Sequence, residues 1–168
     1  MRDLFVGSTV DKVLRTLTCP VLIVKRESEA PYQRVLVPVD FSTSSQPAVD
    51  LALRVAPDAD VTVLHAFEMP FEANFSLSEE QDEAYLTELE AQKREELQKL
   101  ISEFEPGRLS VAAEPGGASA VIREQIEALD ADLVVIGKYG KGGVEDLLLG
   151  SVTKQVTQYA DCDVLVVG

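Results

Sequence analysis

Residues 132–153 read DLVVIGKYGKGGVEDLLLGSVT. The stretch opens on a short strand, Asp132–Gly137, whose Leu-Val-Val-Ile centre shows no polar alternation. A strand of that composition is buried on both faces, as in a parallel sheet covered by helices. Four glycines then fall within seven positions: Gly137, Gly140, Gly142 and Gly143. Such a run lets the backbone turn sharply and lets another group approach it closely. Gly150 and Ser151 next open a helix, whose first N–H groups lack intrahelical partners and whose dipole favours an anion. Strand, glycine turn and helix start together predict a turn suited to cradling a phosphate. Lys138 and Lys141 add two cations beside it.

Outward from this stretch the chain alternates strands and helices. Arg34–Asp40 (RVLVPVD) is a strand with nearly continuous apolar positions, followed by Ser42–Ser45 as helix caps and a helix over Ala48–Val55. Asp60–Phe67 is the second strand. Ser78 and Gln81 form a capping-box signal for a long helix running to about Phe104. Leu109–Ala113 is a weak third strand, Ala118–Leu129 a helix, Gly150–Tyr159 the last helix and Asp163–Val167 the last strand. This order predicts an α/β domain, a five-stranded parallel sheet with helices on both faces and strand order 3-2-1-4-5. Ligands of such sheets sit outside the carboxyl ends of the strands, at the switch point between the first and fourth.

The chain also repeats itself. Arg2–Val24 (RDLFVGSTVDKVLRTLTCPVLIV) aligns without a gap with Glu145–Val167 (EDLLLGSVTKQVTQYADCDVLVV). Both copies read as Gly-Ser, helix, short strand. Cys19 and Cys162 recur through this duplication, which removes any need for a disulfide between them. The first copy lacks a preceding sheet, so residues 1–27 are expected to be the terminal helix and strand of a preceding domain. Residues 28–32 are then a linker and residues 33–168 a complete domain. Val10, Val13, Leu14 and Leu17 form one apolar face of the first helix, capped by Ser8 and Asp11. That face requires cover, which predicts a homodimer or a swapped arrangement through the last strand and this N-terminal segment.

Of the 168 residues, 46 % are hydrophobic, enough for a sizeable core, and the net charge is −14. That charge argues against a nucleic-acid partner. It also means that an anion site must rely on fixed backbone N–H groups. No apolar run is long enough to span a bilayer and no secretory leader is visible, which predicts a cytoplasmic protein without membrane contact. Two cysteines without CxxC spacing and one histidine argue against a zinc site. His65 has no catalytic companions and reads as a packed or capping side chain. Met69, Phe71, Phe75 and Leu77 read as local packing or as a lid beside the site.

The spacing Gly137-x2-Gly140-x9-Gly150-Ser151 is similar to the ATP-binding motif of the universal stress protein family. VLVPVDFS at 35–42 and the final GSVT…CDVLVV resemble the same family. The resemblance covers residues 33–168 and, through the repeat, 2–25, as in a tandem member retaining only the end of its first domain. It implies a Rossmann-like fold of the adenine nucleotide alpha hydrolase-like kind that binds ATP, ADP or AMP. Pro38, Val39 and Ala66, with Ile136, would line the adenine pocket, and Asp40 would meet the ribose. Gly137, Tyr139 and Gly140 would shape the loop over the ribose and α-phosphate. Lys141, Gly150, Ser151, Val152 and Thr153 would surround the phosphates, with Mg²⁺ carried on the phosphates themselves. Tyr139 stands where the family often has a basic residue or histidine. From the residues alone, Asp40 could equally cap the following helix, and the glycine loop could be a plain connection. No general base, Walker A pair, HxxxH or Gly-x-Ser-x-Gly elbow is present, so the expectation is a regulatory binding module with at most slow ATP hydrolysis.

Overall fold

Near-continuous apolar strands alternating with amphipathic helices leave one arrangement that buries both strand faces, a sheet between two helical layers. The computed structural model describes residues 8–27, 30–68, 79–104, 107–140 and 149–168. Its elements are α1 (Ser8–Thr16), β1 (Val21–Ile23), β2 (Arg34–Pro38), α2 (Ser45–Val55), β3 (Asp60–Phe67) and α3 (Glu79–Ile101). They continue with β4 (Leu109–Pro115), α4 (Ala118–Leu129), β5 (Leu133–Gly137), α5 (Ser151–Tyr159) and β6 (Asp163–Val167). The expected cluster at Met69, Phe71, Phe75 and Leu77, the Ser78–Gln81 box and the Ser8 cap all lie outside the described residues and side chains.

The sheet corrects the expectation of five parallel strands. It has six, in the order β1-β6-β5-β2-β3-β4. β2 to β6 run parallel to their neighbours, whereas β1 pairs antiparallel with β6. The physical reason lies at the edge: β6 would otherwise end the sheet with unpaired N–H and C=O groups. The N-terminal strand fills that ladder from within the same chain.

Strand alternation sends Val35, Val37, Val61, Val63, Leu133 and Val135 to one face, against Ala48, Val49 and Ala52 of α2 and Leu97 of α3. Leu36, Leu64, Val134, Ile136, Val164 and Val166 go to the other, against α4, Val156 of α5 and Leu14 of α1. Leu14 is only 1 % exposed. The apolar face of α1 is therefore covered in part by its own chain, without a second copy. Asp11, read as a cap, is held in an ion pair with Arg15 at 2.8 Å.

The β1–β6 ladder places Val21 opposite Val166, Leu22 opposite Leu165 and Ile23 opposite Val164. Leu22 and Leu165 are also equivalents in the sequence repeat, so the ladder is centred on a local two-fold relation between the copies. Contacts at the helix ends follow the same relation. Lys25, just beyond β1, donates its Nζ to the carbonyl of Ala160 at the end of α5. Gly168, just beyond β6, lies so close to the Thr18 carbonyl that an added Cβ would stand 3.3 Å from it.

Two buried carboxylates pin the connection between β1 and β2. Asp163 accepts the backbone N–H groups of Lys25 (2.7 Å) and Arg26 (3.0 Å) and the Tyr32 hydroxyl (2.7 Å). Asp132 accepts those of Gln33 (2.8 Å) and Arg34 (3.1 Å). Burial and the bond to Asp163 push the Tyr32 hydroxyl from 10.0 up to about 12. The unfolded chain loses this proton near its ordinary value, whereas the folded chain keeps it. The contribution to stability is thus complete below about pH 10 and lost as pH rises towards 12. Urea midpoints measured across that range are expected to fall, and to fall less in Tyr32→Phe. Burial likewise pushes the Cys162 thiol up to about 11, while Cys19 is exposed. A thiol reagent at about pH 8 should modify Cys19 quickly and Cys162 only on unfolding.

Candidate functional site

Along β2 the peptide groups alternate in direction. Val39 donates to Leu64 of β3 (2.8 Å), and Asp132 donates to Arg34 from the β5 side (2.9 Å). Odd residues therefore face β3 and even residues face β5. The β2–β5 ladder carries Val35 opposite Leu133 and Leu36 opposite Val134. The next residue on the β5 side is Pro38, which has no N–H to offer. The ladder stops there and a cavity of about 420 Å³ opens at the carboxyl ends of the strands. Its volume lies within the range of small-ligand pockets, roughly 300–1,000 Å³.

Pro38, Val39 and Asp40 line it from the end of β2, Ala66 from β3 and Ile136 and Gly137 from β5. Tyr139 and Gly140 close one side, and Gly150, Ser151, Val152 and Thr153 bring in the start of α5. These are the residues that the sequence singled out, with the exception of Lys141, which lies outside the described residues. The cavity also takes in Ser42, Ser44, Ser45, Leu64, Ala118 and Ile122, which sequence reasoning did not assign to the site. Leu64 could have been found from its place two residues before Ala66, and Ala118 and Ile122 from their one-turn spacing.

The starts of three helices, α2, α4 and α5, meet at the cavity, represented by Ser45, Ala118 and Ser151. Gly117 and Gly150 precede α4 and α5, and neither helix has a side-chain cap bond. Their first N–H groups can serve an anion. The start of α2 likewise has no side-chain cap bond, but the turn ahead of it is fixed by a carboxylate. Asp40 Oδ1 accepts the Ser42 N–H (3.0 Å) and the Ser45 hydroxyl (3.3 Å). Phe41, between them, holds a left-handed φ of 59° that makes this tight turn. Asp40 thus fixes the turn that leads into α2 and lines the cavity at once. A Cβ on Gly140 would lie 2.8 Å from Asp40 Oδ2, and one on Gly137 2.8 Å from Ser44 Cβ. Both walls close in because these positions carry no side chain.

Two side chains of this region have backbone partners within the chain. The Thr153 hydroxyl donates to the Gly137 carbonyl (2.7 Å), tying the start of α5 to the end of β5. Lys138, read as a cation beside the turn, is 4 % exposed and donates its Nζ to the carbonyl of Leu17 beyond α1 (2.9 Å). His65 pairs its Nδ1 with the Val39 carbonyl (2.8 Å) and packs its ring on Phe41, with 4.5 Å between centroids.

The model of the universal stress protein family matches residues 31–168. The chain belongs to the universal stress protein family. A universal stress protein of Methanocaldococcus jannaschii is 32 % identical over 145 residues, which cover 84 % of this chain and 85 % of the relative. Universal stress protein A homolog 1 of Coxiella burnetii is 30 % identical over 141 residues, covering 81 % and 96 %. Among solved structures, a universal stress protein in complex with cAMP superposes with a TM-score of 0.56 at 26 % identity, covering 82 % of this chain and 98 % of the other. A putative universal stress protein of Pseudomonas aeruginosa matches 98 % of this chain but 58 % of its own, with a TM-score of 0.70 at 24 % identity, a likeness of fold.

In this universal stress protein the Gly137→Ala methyl would meet Ser44 Cβ on the α2 side. The change should lower stability by about 1–3 kcal/mol, read as a lower urea midpoint. Gly140→Ala meets only the tip of the Asp40 side chain, which can swing aside, so its midpoint should fall less.

Proposed function

We propose that the cavity binds an adenine nucleotide, ATP first among ATP, ADP and AMP, and that the protein is a nucleotide-responsive regulatory module. The observation that carries this reading is the meeting of two helix starts without side-chain caps, α4 and α5, with a turn closed around Gly137 and Gly140. Backbone N–H groups there offer an anion fixed partners that a net charge of −14 does not cancel. Apolar Pro38, Val39, Leu64, Ala66 and Ile136 suit a flat base, and the side-chain oxygens of Asp40 offer acceptors to sugar hydroxyls. The solved universal stress protein in complex with cAMP supports the same class of ligand. Lys141, Gly150, Ser151, Val152 and Thr153 take the phosphate side in this reading, and Mg²⁺ rides on the phosphates, since no cluster of three metal-ligating side chains occurs among the described residues.

In this reading the protein binds nucleotide and turns it over slowly or not at all. Residues 1–27 are read as the terminal helix and strand of a preceding domain of the same kind. Their edge strand β1, with Leu22 42 % exposed and Val24 just beyond it 61 % exposed, is then the edge open to a second copy in a homodimer, because β6 is already paired. No described helix is long and apolar enough to cross a membrane. We place the protein in the cytoplasm.

Calorimetry of the full chain with ATP, ADP and AMP, with and without Mg²⁺, is expected to give one site per chain with submillimolar affinity. No heat at millimolar nucleotide would overturn the reading. Incubation with ATP and Mg²⁺ should release product slowly or not at all. Many equivalents per minute would make the protein a nucleotide-hydrolysing enzyme instead.

A further inference from the structure

Lys138 stands between two cavity residues, Gly137 and Tyr139, yet its side chain leaves the cavity. Its backbone is held twice: the N–H donates to the Val167 carbonyl (2.6 Å) and the carbonyl accepts the Gly150 N–H (3.0 Å). Its ammonium reaches the carbonyls of Leu17 (2.9 Å) and Arg15 (3.5 Å), at and just beyond the end of α1. Carbonyls there have no intrahelical partner and form the negative end of the helix dipole. A buried ammonium requires acceptors of this kind. Each side therefore meets the other's need: α1 supplies the acceptors, and Lys138 supplies the donor that α1 lacks. Burial of Leu14 completes the docking of α1 on the same chain.

We propose that Lys138 is a positioning residue of the cavity, through which the N-terminal helix sets the 137–140 turn and thereby the affinity for an anionic nucleotide. If α1 leaves, the ammonium loses its acceptors, and the short segment that must rearrange includes Tyr139 and Gly140 on the cavity wall. Linkage makes the effect reciprocal, so nucleotide in the cavity favours docking of α1 by the same factor. The coupling to ligand rests on the nucleotide reading given above; the link between α1 and the turn does not.

Hydrogen exchange on the full chain without ligand tests the link, using Lys138→Met, Lys138→Arg and Leu14→Ala, with the amides of Val35 and Val135 as controls for the central sheet. The amides of residues 138 and 150 should exchange faster in Lys138→Met and Leu14→Ala and keep their protection in Lys138→Arg. Unchanged protection at both amides in Lys138→Met and Leu14→Ala, with α1 itself exchanging faster, would overturn the proposal. In calorimetry, Lys138→Met and Leu14→Ala should each weaken ATP binding about tenfold, and the double variant no more than either alone. The dependence of affinity on salt should stay as in the wild type, because the ammonium does not touch the ligand. A shallower salt dependence in Lys138→Met would make Lys138 a direct phosphate contact and overturn the positioning role. If wild type bound no nucleotide, the functional reading would fall, while the exchange arm would still decide the link to α1.

Discussion

The opening at the centre of the sheet depends on a missing hydrogen-bond donor at Pro38. Parallel strands at the centre of a sheet hold together through evenly spaced peptide bonds. At the central pair β2–β5 this spacing ends where the next β5-facing residue is a proline. On the other side Val39 continues to bond Leu64, so β2 stays with β3 and parts from β5. Helices that follow β2 and β5 leave on opposite faces, as the two core clusters show. Their starts therefore flank the opening. The strand order places the switch point, and the β2–β5 ladder ends there at Pro38.

Electrostatics then narrow what the opening can hold. The chain is strongly acidic, and long-range attraction cannot gather an anion. The cation nearest the turn among the described residues, Lys138, is turned away towards α1. What remains is local: backbone N–H groups at α4 and α5 and close walls at Gly137 and Gly140. Such groups act at short range and need no net charge.

Much of this was legible in the sequence. The runs DVTVLHAF and DVLVV are strands with the expected bounds, and the residues that the family resemblance implied line a single cavity, apart from Lys141, which lies outside the described residues. Apolar runs and glycine turns are local signals, and local signals survive folding. The sixth strand was not legible as such, because VLI at 21–23 could pair in its own chain or in another. The direction of the Lys138 side chain was hidden too, since it depends on a helix more than a hundred residues earlier. Asp40 read as a cap or a ligand-facing carboxylate; it bonds the turn ahead of α2 through Ser42 and Ser45 and also lines the cavity.

Methyl and amide NMR of the full chain titrated with ATP tests the central claim, that the opening beyond Pro38 is the nucleotide site. The account predicts saturable shifts at Ala66, Ala118, Ile122 and Ile136, with Leu22 and Leu165 at the β1–β6 ladder changing far less. Shifts centred on the ladder or on α3, or none at millimolar ATP, would contradict it.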